Sequence, residues 1–91
     1  MAYRIVKKIT PNPQPADPYA DIDAWKEVNG PYHGTQSPAV GNVTWTLDSD
    51  GYSAIVSQDY DTKEVCDRHQ LTEPEDYSDE YDVEIVSQGE V

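Results

Sequence analysis

A formal charge of −12 on 91 residues most constrains what this chain can fold into. Eighteen Asp and Glu face six Lys and Arg. Self-repulsion of that size opposes compaction. A folded form must therefore keep its carboxylates wet and gather a small apolar set behind them. The imbalance is also polarised. Arg4, Lys7 and Lys8 lie in the first ten residues, whereas Glu73, Glu75, Asp76, Asp79, Glu80, Asp82, Glu84 and Glu90 are followed or separated by no base.

The length fits one domain, residues 1–91. A chain of this size buries roughly 60–65% of its unfolded surface, so its core is small. The available core residues are Val, Ile, Trp and Tyr, with two Leu and no Phe. These types suit pleated, half-buried surfaces, and composition leans toward β structure. High charge with modest hydrophobicity is also a signature of disorder, which periodic segments elsewhere oppose and the acidic loop at 73–80 does not.

Residues 2–10 read as a strand in which Tyr3, Ile5 and Ile9 alternate with Arg4 and Lys8, with Val6 and Lys7 blurring the pattern. Pro11, Pro13 and Pro15 then make 11–18 an extended connector. Asp17-Pro18 supplies a cap and a first-turn proline. Tyr19, Ile22, Trp25 and Val28 recur at helical spacing, and Asn29-Gly30-Pro31 is a stop. These signals predict a helix over about 18–28. Residues 29–42 are loop in character. Val43, Trp45 and Leu47 alternate with Thr44 and Thr46; the turn signal Asp48-Ser49-Asp50-Gly51 follows, and β character resumes over 52–58. This is a hairpin pattern. Residues 59–62 read as a second turn, and 63–71 fit either a strand or a short helix. In 81–86, Tyr81, Val83 and Ile85 face one way while Asp82 and Glu84 face the other. The expected fold class is α+β: a small antiparallel sheet of about four strands with one short helix packed on it.

Catalytic and metal motifs are weak. Cys66 and His69 stand three apart, but a nucleophile needs a base and an orienting third group; a core thiol beside a solvated His is the plainer reading. His33, His69 and Cys66 lack metal-ligand spacing. Asp48-x-Asp50-Gly51 and Asp59-x-Asp61-x-x-Glu64 lack the twelve-residue calcium-loop pattern, and turn chemistry accounts for them. Gly30 to Gly34 is not followed by the Lys-Ser/Thr of a phosphate loop, and Asn42-Val43-Thr44 is a sequon by pattern alone. No catalytic residue, metal or cofactor is expected, and the chain is not read as an enzyme. One cysteine permits no internal disulfide and suits a reducing compartment. The first residues lack an apolar leader, and no run approaches the ~20 apolar residues of a membrane span. The expected location is the cytoplasm, that of a host cell if the protein is phage-encoded.

The acids themselves remain. An anionic surface is repelled by nucleic acid and by anionic lipid, so the expected partner is cationic. Six acids and two tyrosines fill residues 73–82. Carboxylates fixed in rows can stand in for a phosphate backbone in a basic groove, and Tyr supplies flat contact area. The candidate partner-binding residues are Glu73, Glu75, Asp76, Tyr77, Asp79, Glu80, Tyr81, Asp82 and Glu84, followed by Asp59, Tyr60, Asp61, Glu64 and Asp67. In size and composition the chain resembles the small acidic inhibitors of phages and mobile elements, such as anti-CRISPR and anti-restriction proteins. That resemblance implies an inhibitor that fills the basic groove of a nucleic-acid-binding protein or ribonucleoprotein, with no direct contact to nucleic acid. The alternative is a structural or assembly component of a viral particle, joined to its neighbour through an edge strand, with Arg4, Lys7 and Lys8 meeting an acidic face of the next copy.

Overall fold

A computed structural model describes residues 2–29, 43–72 and 80–91. In chain order these form β1 (Tyr3–Pro11), α1 (Ile22–Asn29), β2 (Val43–Leu47), β3 (Ala54–Tyr60), α2 (Lys63–Thr72) and β4 (Tyr81–Glu90). The four strands make one antiparallel sheet in the order β2-β3-β1-β4. The α+β class is as the residue patterns predict, with a second helix where 63–71 had read two ways.

Local chemistry accounts for the helix starts. Asp21, not Asp17, caps α1: its Oδ1 accepts the Ala24 amide at 2.8 Å. The predicted first turn at 18–21 is not helical because the Tyr19 amide donates to the Gly51 carbonyl at 2.8 Å. The Asp17-Pro18 signal thus loses to a tertiary hydrogen bond. Thr62 caps α2 through Oγ1, which accepts from the Val65 amide at 3.3 Å. Lys63–Asp67 at 2.8 Å and Glu64–Arg68 at 3.7 Å then support α2 at i,i+4 spacing. The β2–β3 turn is built by Asp50, whose Oδ1 accepts the amides of Tyr52 and Ser53 at 2.8 and 2.9 Å. Gly51 supplies the φ of +78° that the turn requires.

Both helices cover the same face of the sheet. At one end Trp25 of α1 packs on Ile9, Ala54 and Val56, with Tyr19, Ile22, Trp45, Leu47, Tyr81 and Val83 around them. At the other end Cys66 of α2 packs on Ile5 and Tyr60, flanked by Tyr3, Val65 and Ile85. Lys7 stands between the two clusters on this covered face, level with Val56 and Ile85, at 0% exposure. The blur at Val6 and Lys7 therefore resolves in favour of Lys7 pointing inward and Val6 outward. The opposite face carries Arg4, Val6, Lys8 and Thr10 of β1 beside Asp59, Ser57 and Ile55 of β3 and Asp82 and Glu84 of β4. No described helix lies over it.

Strand β4 runs past the predicted 86 by means of a bulge. Register shifts between Val6 and Lys7, leaving Val86 as the extra residue and 53% exposed. Among the described residues no helix is long and apolar enough to cross a membrane.

Candidate functional site

The expected binding residues separate into three groups. Glu73, Glu75, Asp76, Tyr77 and Asp79 lie outside the described residues, as do His33 and Asn42. A second group is brought into the fold and neutralised or buried. Asp59 takes the Arg4 guanidinium at 2.8 Å across β1 and β3, and that contact raises the Arg4 pKa. Glu64 and Asp67 pair with Arg68 and Lys63 on their own helix. Lys63 holds Asp67 below the usual carboxylate range. Tyr60 is fully buried against Ile5 and Cys66, so its ring is core instead of contact surface. Strand alternation decides this: Tyr60 shares a face with Ala54, Val56 and Gln58, all buried. Asp61 remains exposed between β3 and α2.

The third group lies on β4. Glu80, Asp82 and Glu84 are exposed, and Asp82 and Glu84 project side by side from the open face. Tyr81 turns the other way and anchors the strand. Its hydroxyl donates to the Asn29 carbonyl at 3.0 Å, and its ring lies 6.4 Å from that of Trp25. Asn29 in turn donates to the Tyr19 hydroxyl and the Trp25 carbonyl at 3.0 and 2.9 Å. Burial, and secondarily the Glu80 charge, pushes the Tyr81 phenol up. Asn12 completes the support: its amide donates to the Glu80 carbonyl at 2.7 Å and its side chain to Asp82 Oδ1 at 3.3 Å. The first half of β4 is therefore pinned at Tyr81 by α1 and at Glu80 and Asp82 by the connector.

The cations of the open face are directed away from β4. Lys8 is the register partner of Glu84. Its Nζ nevertheless lies 3.1 Å from Asp48 and 3.4 Å from Asp50, on the far side of β1. Arg4 goes to Asp59 on that same side. The charges on the β1 and β3 part of the open face are consequently paired, whereas on β4 the open face carries Asp82 and Glu84 with no basic partner among the described residues. Among the described residues no ion pair is seen for Asp82 or Glu84.

The Cys66 thiol is a core group. Burial raises its pKa, with the Asp67 charge acting the same way, and Gln88 Nε2 donates to Sγ at 3.6 Å. A thiol held neutral in this way is a poor nucleophile. Among the described residues no cluster of His, Cys, Asp and Glu has metal-binding geometry.

The fold and this margin define a small α+β domain with an acidic sheet edge. Comparison with family models, curated proteins and solved structures finds no match to the chain.

Sequence reasoning missed two features of the margin. One is that β1 is a central strand, so its bases serve neighbours inside the chain. The other is the Asn12 and Tyr81 scaffold that orients Asp82. An alternation of acids on a strand signals an acidic face, but nothing local shows which cations lie beside it.

Proposed function

We propose that this protein binds and occupies the basic groove of a nucleic-acid-binding protein or complex, as an inhibitor of the phage-encoded type. The observation that carries the reading is the sorting of charge across the open face. Arg4 and Lys8 are spent on Asp59, Asp48 and Asp50, while Asp82 and Glu84 on a braced strand have no basic partner among the described residues. Same-face side chains on a strand repeat every ~7 Å, and two base-pair steps of a nucleic-acid strand span ~7 Å as well. Because the carboxylates are fixed by the sheet, binding loses less side-chain and backbone freedom than it would with a flexible acidic tail. Electrostatic steering adds a fast, salt-dependent encounter.

An assembly role through a basic first strand draws less support. β1 is paired on both sides, Lys7 is buried, and Arg4 and Lys8 bond within the chain.

The test is affinity capture from host extract with identification by mass spectrometry, followed by competition with the captured protein's own nucleic acid. The reading requires a captured nucleic-acid-binding protein whose nucleic acid is displaced, with affinity falling steeply between roughly 50 and 200 mM salt. It fails if the captured protein binds nucleic acid and this chain together.

A further inference from the structure

We propose that Asn29 is a deamidation site, at which conversion of the side-chain amide to a carboxylate releases α1 from the start of β4, and that Tyr81 holds the reaction off in the native fold. The reaction needs no catalyst and no partner: the next amide nitrogen in the chain attacks, and water completes the step.

Sequence context singles out this position. Asn12 precedes a proline, which lacks the N–H that must attack, and Asn42 precedes a β-branched valine. Asn29 alone among the chain's asparagines precedes a glycine, whose missing Cβ lets the backbone nitrogen approach. The Gly30 nitrogen bonds to Asn29 Cγ, the Cγ–Nδ2 bond breaks, and ammonia leaves with the proton of the attacking nitrogen. Water then opens the cyclic imide to aspartate or isoaspartate. Asp50-Gly51 has the same spacing but is closed to this route. The Gly51 amide donates to the Asp48 carbonyl at 3.0 Å, and the Asp50 carboxylate is held ionised by its donors.

Asn29 closes α1 and is half-buried. Attack requires the peptide that follows Asn29 to rotate until its nitrogen faces Cγ. The carbonyl of that same peptide accepts the Tyr81 hydroxyl at 3.0 Å, which opposes the rotation. The side chain is fixed as well: Nδ2 donates to the Trp25 carbonyl at 2.9 Å and to the Tyr19 hydroxyl at 3.0 Å. A carboxylate has no N–H to offer. After deamidation an oxygen faces the Trp25 carbonyl instead, and a negative charge stands at the C-terminal end of α1, where the helix dipole disfavours it. The isoaspartate product also adds a methylene to the main chain. Either product loosens the tether between α1 and Tyr81, and with it the strand that carries Asp82 and Glu84.

The experiment follows the full chain in mildly alkaline buffer, with peptide-mapping mass spectrometry separating the asparagine, aspartate and isoaspartate forms at position 29. Native wild type is expected to convert at least about 10-fold more slowly than the same chain in urea, the combined effect of the hydrogen bonds that must open. Y81F is expected to speed native conversion about 2- to 10-fold, as one lost hydrogen bond implies. C66A loosens the other core cluster and is expected to leave the rate unchanged. N29D, which carries the product's carboxylate from synthesis, is expected to speed amide exchange at the start of β4 about 2- to 10-fold. Absence of conversion in urea overturns the site. Equal rates for native and unfolded wild type overturn the protection, as does no acceleration by Y81F or an equal one by C66A. Unchanged exchange at the start of β4 in N29D overturns the release of the strand.

Discussion

Asp50 is where one side chain organises most of the open-face chemistry, and its removal is expected to be costly in a pH-dependent way. Its carboxylate accepts the Tyr52 and Ser53 amides at 2.8 and 2.9 Å and the Ser53 hydroxyl at 2.7 Å, and it lies 3.4 Å from Lys8 Nζ. Burial by itself pushes the Asp50 pKa up, but these donors outweigh it and bring the group from 3.8 to about 2. A fall of that size at 1.36 kcal/mol per pH unit corresponds to about 2.4 kcal/mol. The side chain is 32% exposed, so solvent screening reduces this to about 1–2 kcal/mol. The folded-state pKa is the lower one, so the stabilisation is complete above the unfolded value of 3.8 and disappears as pH falls through about 2. Asp50→Ala also leaves the amide of fully buried Ser53 without its acceptor, a further cost of about 1–3 kcal/mol. The expected loss at pH 7 is therefore about 2–5 kcal/mol, read from urea denaturation midpoints with unchanged slope. Between pH 5 and pH 2 the difference between wild type and variant is expected to shrink by about 1–2 kcal/mol. A loss below about 0.5 kcal/mol at pH 7, or a difference that does not vary with pH over that range, refutes the reasoning.

The remaining expectations concern the core and the turn. Trp25→Ala removes a fully buried ring and an indole donor that bonds the Tyr52 carbonyl at 2.9 Å; it is expected to cost about 3–5 kcal/mol in chemical denaturation. Gly51→Ala combines a φ of +78° with a Cβ placed 2.8 Å from that of Pro18. It should cost at least about 1–2 kcal/mol, and a neutral melting temperature contradicts the turn geometry. Cys66, buried and with its pKa raised, is expected to react with thiol reagents at pH 8 only at the rate of unfolding; prompt labelling of the native protein refutes that packing. Tyr81→Phe removes the hydroxyl bond to Asn29 and is expected to cost about 0.5–1.5 kcal/mol, with faster amide exchange at the start of β4.

Legibility followed the range of the interactions. The β2–β3 hairpin was readable because each part of it is local: alternation over Val43–Leu47, an Asp that bonds amides two and three residues on, and a Gly at positive φ. The inward and outward assignment of Tyr81 to Ile85 followed from the same period of two. The second helix was not decided by its own residues. Its apolar spacing is thin, and among the described side chains Val65 and Cys66 pack on the sheet while Asp67 accepts a hydrogen bond from Gln88 of β4.

By itself the sequence determined a fold class, a hairpin, an acidic surface and a basic first strand, since these depend on composition and on neighbours a few residues apart. Only the tertiary structure decided that the first strand is central, that Lys7 and Tyr60 point inward, and that Arg4 reaches Asp59 fifty-five residues away. Those outcomes depend on strand order, which no short window encodes. The same strand order directs the open-face cations toward β3 and the turn acids and, among the described residues, leaves Asp82 and Glu84 of β4 without a basic partner.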